Sequence, residues 1–433
     1  MARDTHEHDR VTAHLDGEDE RLRTVTTDLL GFDTQNPPGE TAEAIDWLES
    51  HLSDAGIATD RVVADPSKPN LLATLPGRTD RTLLLNAHLD TVTFDPAAWD
   101  HDPLGEDAGD RIYGRGATDM KGPLAAMVNV LQSFARTGVE PPVDITLAVV
   151  GDEEVPGDAG VSALVEEESF SGDGCVIGET TSVPGRHSVS VADRGSIWLT
   201  LGADGRAAHG SRPMAGANAI DRLCAAVGDV RSALEERRLE SDPAMDEIVE
   251  QSIEFYSQSM PEADAERLFR CPTVNLGRVE GGESINTVPE SATARIDIRF
   301  VAGISPESLL TEIREALQDH PSVSIAEVTS SQGTFEAADG RIVDATAEAA
   351  ESVLDTRIYR RSATGGGDAK TLRRAGIPTV EFAVGSDTAH GIDEYITMDA
   401  LRANARIFTQ LPYRFAEFDI EEGSEAIDPP NKG

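Results

Sequence analysis

The chain has 433 residues, with 78 Asp and Glu against 37 Lys and Arg and a formal net charge of −41. That imbalance excludes a nucleic-acid or anionic-lipid partner, since both require clustered basic residues. Hydrophobic residues still make up 39% of the chain, which excludes disorder, and the length fits two or three domains around a sizeable core.

The first ten residues, MARDTHEHDR, are polar and lack the apolar stretch of a secretory leader. Residues 11–57 read as helical, with a break at Gln35-Asn36-Pro37-Pro38-Gly39. The segments 71–75, 82–86, 145–150 and 175–177 predict strands, each closing in a turn or loop, and 122–137 has helical periodicity. Strands alternating with helices imply an α/β unit with a mostly parallel sheet. Near Val189 the pattern changes. Segments 188–192, 196–202, 274–279 and 292–301 alternate apolar and polar residues, as antiparallel strands with one wet face do, with charged helical stretches at 219–238 and around 245–269. From Ser305 the α/β style returns, with amphipathic helices at 309–319 and 342–354 and a strand at 379–384. The expected fold class is α/β. A mostly parallel-sheet domain spans 1–189 and 302–433, interrupted by an α+β insertion (antiparallel sheet plus helices) at 190–301. The tail Asp428-Pro429-Pro430-Asn431 reads as loose.

Potential metal ligands fall at the strand ends. His88 and Asp90 close the 82–86 strand two residues apart, so at β spacing they point to one side. That suits a His ligand whose other ring nitrogen is oriented by a carboxylate. Glu153 and Glu154 follow the 145–150 strand, Glu179 follows 175–177, and His390 follows 379–384; Asp119 lies just before the 122–137 helix. In open α/β sheets ligands bind outside the carboxyl ends of the strands, so these residues are expected to converge. Singly each is ordinary: a loop His is most often surface or core filler, and Glu153-Glu154 in so acidic a chain is most simply solvated charge. Together they point to a metal site built from nitrogen and oxygen donors. Neither Gly114-Arg115-Gly116 nor Gly365-Gly366-Gly367 carries the GK[ST] ending of a phosphate loop. Arg115 and Lys121 read as balancing local charge.

Eight segments carry a family resemblance: HLD at 88–90, GRGATDMKG at 114–122, GDEEVPG at 151–157, IGET at 177–180, GRAAHGSRPMAGANAI at 205–220, INTVPESATARIDIRF at 285–300, GGGDAK at 365–370 and AHGIDE at 389–394. In order, they resemble the motifs of the M20 metallopeptidase/aminoacylase family, most closely its acetylornithine deacetylase/succinyl-diaminopimelate desuccinylase branch. The resemblance implies two divalent ions, zinc with cobalt or manganese as substitutes, bridged by Asp119. His88 and Glu179 would complete one site, Glu154 and His390 the other. Asp90 would orient His88, and Glu153 would be the general base, taking a proton from the attacking water and passing it to the leaving amine. The insertion at 190–301 would be the lid and dimerisation domain of a homodimer. It would bring His209 to the oxyanion from across the dimer, and Asn286 and Arg299 to the substrate. Gly366 and Gly367 would form a backbone wall; many relatives carry Thr where Gly367 stands. The implied reaction is hydrolysis of the amide bond of an N-acyl amino acid. Exopeptidase action on a dipeptide or C-terminal residue is the alternative, and a non-catalytic metal-binding homologue the remote one.

Cys175, Cys224 and Cys271 are widely separated with no CxxC pair, which fits a reducing compartment. No apolar run approaches the roughly 18 residues that span a bilayer. The chain is thus expected to be cytoplasmic. Only Lys68, Lys121, Lys370 and Lys432 are lysines. Such acidity with so little Lys resembles the cytoplasmic proteins of salt-accumulating halophiles, whose charged surfaces self-repel in dilute buffer and are screened at molar salt.

Overall fold

The computed structural model describes residues 2–422, Ser169 and Ser241 excepted; the tail at 428–431 lies outside the described residues. The chain forms two compact units. The first comprises Met1–Val191, Glu336–Arg360 and Gly367–Gly433, the second Ala192–Phe335 and Arg361–Gly366.

Up to the insertion, the chain runs through α1 (Ala2–Leu15), α2 (Asp19–Leu30), α3 (Ala42–Ser53), β1 (Ala58–Val62), β2 (Asn70–Leu75), β3 (Thr82–His88), β4 (Glu106–Asp107) and β5 (Arg111–Tyr113). It continues through α4 (Lys121–Thr137), β6 (Asp144–Val150), α5 (Val161–Val165), β7 (Gly174–Ile177) and β8 (Ser188–Ala192). The second unit contains β9 (Gly195–Asp204), α6 (Ala219–Glu235), α7 (Asp246–Tyr256), α8 (Glu262–Arg270), β10 (Thr273–Gly281), β11 (Ser291–Phe300), α9 (Pro306–Ala316) and β12 (Val323–Ser331). The return adds α10 (Arg341–Leu354), β13 (Tyr359–Ser362), α11 (Asp368–Arg374), β14 (Thr379–Glu381), β15 (Tyr395–Thr397) and α12 (Met398–Glu422).

Among the described residues the large sheet has the order β1-β2-β6-β3-β7-β14-β8-β13. Its centre, β6-β3-β7-β14, is parallel. The flanking pairings β1–β2, β2–β6 and β14–β8 are antiparallel. The central strands are apolar on both faces because helices cover both: Leu83, Leu84, Leu85, Ile145, Leu147, Val149, Cys175 and Val176 are all buried. Helix α4 is buried along nearly its whole length for the same reason. No described helix is long and apolar enough to cross a membrane.

In the second unit the four strands pair in the order β10-β11-β9-β12, all antiparallel. The expected alternation is present. Ala292, Ala294, Ile296 and Ile298 of β11 face inward, while Thr293 and Arg295 are exposed. Helix α6 starts under an Asn218 side chain that accepts from the Ile220 and Asp221 amides, and it buries Leu223, Val227 and Val230.

The boundaries differ from the sequence reading in three places, one of them Arg361–Gly366, expected in the first domain but belonging to the second unit. The insertion was expected to end at 301, but the second unit runs on to Phe335. Strand β12 pairs with β9 from Val323↔Ala203 to Ser331↔Ser196, and α9 packs on α6. The sequence VSIAEVTSS is mostly exposed, as an edge strand with little apolar content is, so it gave no strand signal. Segment 188–192, grouped by its alternation with the insertion, is instead buried throughout and joins the large sheet through Glu381↔Ser190.

Candidate metal centre

The four parallel strands end side by side, and each delivers a ligand-type residue. Glu154 follows β6, His88 ends β3, Glu179 follows β7 and His390 follows β14. Asp119 reaches the same place from the loop before α4. Two groups result, each with its donor atoms within 4.8 Å of one another: His88, Asp119 and Glu179, and Asp119, Glu154 and His390. His88 Nε2 lies 3.2 Å from both Asp119 Oδ1 and Glu179 Oε1. His390 Nε2 lies 3.1 Å from Asp119 Oδ2 and 3.2 Å from Glu154 Oε2. Ligands held about 2.0–2.1 Å from a tetrahedral zinc-sized ion would be about 3.3 Å apart, so these spacings fit. The tautomer fits as well. His88 Nδ1 donates to the Asp90 carbonyl oxygen at 2.9 Å, which leaves the Nε2 lone pair facing Asp119 and Glu179.

Charge in the pocket is unbalanced. Burial opposes ionisation of Asp119, yet the two imidazoles hold it well below the usual carboxylate range. Burial and the Asp119 charge raise Glu179. Hydrogen bonds to Asp119 and Glu154 lift His390 to about 10. His88 is raised too: burial opposes protonation, but its carboxylate partners outweigh it. Acids crowded around two imidazoles provide the donor set and the negative charge that divalent cations neutralise.

Glu153 belongs to neither group. Burial, with the Glu154, Asp119 and Asp90 charges, pushes it up to about 7 against the pull of His88. Its carboxylate lies against Gly367: a Cβ on residue 367 would sit 2.7 Å from Glu153 Oε1. Gly367→Ala is therefore expected to displace that carboxylate and lower kcat by about tenfold or more. Steady-state kinetics with the metal content measured in parallel checks this, and an unchanged kcat would contradict the contact. Asp368, next in sequence, is raised well above its ordinary value by burial and by Glu153.

Asp90 does more than the sequence implied. Its carboxylate oxygen is 3.6 Å from His88 Nδ1, farther than its own carbonyl. The carboxylate instead accepts the main-chain N–H groups of Glu153 and Glu154, at 3.0 Å each, and Asn36 Nδ2 at 2.8 Å. Burial works against it, but His88 and Asn36 hold it down at about 2. It thus fixes the turn that carries Glu153 and Glu154.

Glu394 is a site residue that sequence reasoning missed. Fully buried, it accepts N–H groups from Thr118 (2.9 Å), Asp119 (3.0 Å) and Gly116 (3.2 Å), and pairs with Arg115 at 2.5 Å. Arg115 also donates to the Gly391 carbonyl at 2.9 Å. The pair ties the Asp119 loop to the His390 loop, where His390 itself has φ +60, a left-handed conformation that such binding partners must hold. Arg115 does balance charge, as expected, but on a specific carboxylate. Its one available sequence signal was an acid four residues after His390 within AHGIDE.

The remaining predicted residues lie within the second unit or at its border. His209 and Asn286 sit on two exposed loops bound to each other by Gly210 N–H→Asn286 O (2.6 Å) and Val288 N–H→Ala208 O (2.8 Å). Ser211 donates its amide to His209 Nδ1 at 3.2 Å, placing the proton of the neutral ring on Nε2. Arg299 is on the open face of the small sheet, with Nε donating to Asp297 at 2.8 Å. Gly366 is the last residue of the second unit and is exposed; Gly367 begins the return of the first.

The sequence model of peptidase family M20/M25/M40 matches residues 84–414. Succinyl-diaminopimelate desuccinylase of Paracoccus denitrificans is 31% identical over 386 residues, covering 86% of this chain and 93% of that one. Acetylornithine deacetylase of Vibrio campbellii is 29% identical over 280 residues, covering 64% and 66%. Among solved structures, an M20 family metallo-carboxypeptidase from Sulfolobus solfataricus superposes with a TM-score of 0.75 at 20% identity, covering 92% and 99%. Human carnosine dipeptidase 1 does so with a TM-score of 0.70 at 18%, covering 95% and 99%. At these identities the structures show a common fold.

Proposed function

The chain belongs to peptidase family M20/M25/M40 as a metal-dependent amidohydrolase, and from that premise we propose that it hydrolyses the amide bond of an N-acyl amino acid, with succinyl-diaminopimelate and acetylornithine as the first substrates to try. The observation that carries the chemistry is the pair of ligand groups sharing Asp119, with Glu153 beside them and in neither. The substrate class is supported by a curated desuccinylase that aligns over 93% of its length.

The donor set of imidazole and carboxylate, without thiolate, favours zinc, with cobalt or manganese as substitutes. Two such ions, held by His88, Asp119 and Glu179 and by Asp119, Glu154 and His390, would polarise the scissile carbonyl and lower the pKa of the attacking water. Glu153, poised by burial near neutral pH, takes the proton from that water and delivers it to the leaving amine. Asp90 holds Glu153 in place through its amide. For the second unit we take the role of lid and homodimer contact. His209, with its Nε2 proton, serves as an oxyanion donor, and Asn286 and Arg299 serve as substrate contacts.

The test is amine release, with added zinc or cobalt at molar KCl, from N-succinyl-diaminopimelate, N-acetylornithine, other N-acetyl amino acids and dipeptides. Preference for one acylated amino acid supports the proposal. Cleavage of dipeptides alone would replace it with exopeptidase action, and silence across the panel would refute it. The acidic surface leads to a halophilic proposal with its own check. Raising KCl from about 0.1 M to about 1 M shortens the Debye length from about 10 Å to about 3 Å, so self-repulsion among a net −41 charges weakens. The melting temperature is expected to climb steadily over that range and beyond, and a flat thermal-melt series would contradict it.

A further inference from the structure

We propose that Lys68 is a positioning residue for the reaction, acting through Asp152 and Asn36 on the Glu153–Glu154 turn; the inference rests on Glu153 being the base and Glu154 a metal ligand. Lys68 Nζ donates to Asp152 Oδ1 at 2.6 Å and to Asn36 Oδ1 at 3.3 Å. Asn36 Nδ2 in turn donates to Asp152 Oδ1 at 2.9 Å and to Asp90 Oδ2 at 2.8 Å. Asp90 then receives the Glu153 and Glu154 amides. A continuous path of hydrogen bonds therefore runs from one ammonium group to the main chain that bears the base.

The path has only one consistent arrangement. The Asn36 amide stands between an ammonium and two buried carboxylates. Its oxygen must face Lys68 and its NH2 must face Asp90 and Asp152, because a flipped amide would set oxygen against both acids and nitrogen against a cation. Lys68 fixes that orientation and neutralises Asp152, whose side chain is 4% exposed. Without Lys68, Asp152 would be a buried carboxylate lacking its cation, immediately before Glu153.

The loop that presents Lys68 is itself held. Asp65 accepts the Ser67 amide at 2.9 Å and the Ser67 hydroxyl at 2.8 Å, and Thr41 N–H donates to Ser67 O at 2.9 Å. The choice of lysine is informative in a chain that uses arginine for nearly all its cations. Lys68 Cε passes 2.7 Å from where a Cβ on Gly39 would lie, and Gly39 has φ +77, so only glycine clears the stem. The compact ammonium at the end of that stem meets Asp152 Oδ1 and Asn36 Oδ1 together.

The test compares wild type with Lys68→Met and Asp152→Asn, each loaded with cobalt or zinc. Stepwise metal affinity is measured by titration calorimetry, and kcat and KM are measured on whichever panel substrate wild type cleaves. Loss of an outer partner of a metal site costs about 10- to 100-fold. The expected result is a kcat lower by about tenfold or more with KM within about twofold, one ion weakened by about tenfold and the other unchanged. Asp152→Asn reads the same contact from the other side if Lys68→Met does not fold. Unchanged kcat and affinities would overturn the proposal. So would equal weakening of both ions together with a lower melting temperature, the mark of a merely structural salt bridge. If wild type cleaves nothing, the functional reading fails, while the asymmetric loss of one ion still reports on Lys68.

Discussion

Glu153→Ala is expected to lower turnover by about 10³-fold or more while both metal ions stay bound. General acid–base groups contribute about 10²- to 10⁴-fold, and this residue would act twice, on the attacking water and on the leaving amine. Its surroundings are arranged for that. Burial and three neighbouring acids bring it to about 7, where it both accepts and releases a proton. Its amide is clamped by Asp90, and its carboxylate is backed by Gly367. Because Glu153 belongs to neither ligand group, its loss leaves the five donors in place. Elemental analysis of the purified variant, with single-substrate kinetics, reads both halves. Activity within tenfold of wild type would remove Glu153 as the base, and loss of metal would move it among the ligands.

Asp119→Ala is expected to cost both ions and all activity. One carboxylate serves the two groups, with Oδ1 facing His88 and Oδ2 facing His390. Removing it leaves His88 with Glu179 and Glu154 with His390, two donors each, short of the three protein ligands that a catalytic ion usually takes. Glu179→Ala is the control. It strips one group only, so it should release one ion and retain the other. Metal content per chain after gel filtration separates the two cases, and full occupancy in Asp119→Ala would contradict the shared role.

The parts of the site legible in the sequence were those written locally. His88, Glu153, Glu154 and Glu179 stand within a few residues of apolar runs that read as strands, and parallel strands bring their ends together. His390 is nine residues past Glu381, the last residue of β14, and its assignment leaned on the AHGIDE resemblance. What escaped depends on partners far apart in the chain. Arg115 meets Glu394 across 279 residues and Lys68 meets Asp152 across 84, and nothing near either residue announces its partner. The fold divides the same way. The apolar core strands announced themselves, whereas β12, polar and at an edge, became a strand only through its pairing with β9.

The order of strands in the large sheet has a consequence for how the protein is made. Strand β14 lies between β7 and β8, but about 200 residues separate it from β7 and about 190 from β8. At about 5–20 residues per second of synthesis, the ribosome takes roughly 10–40 s to supply it. During that interval the Ala192–Phe335 stretch, contiguous in the chain, is free to fold, while the slot beside β7 stays open with its backbone groups unpaired. The last ligand, His390, arrives later still. A chain that stops short within the second unit therefore carries His88, Asp119, Glu154 and Glu179 without His390, beside an open sheet edge of the kind that invites aggregation.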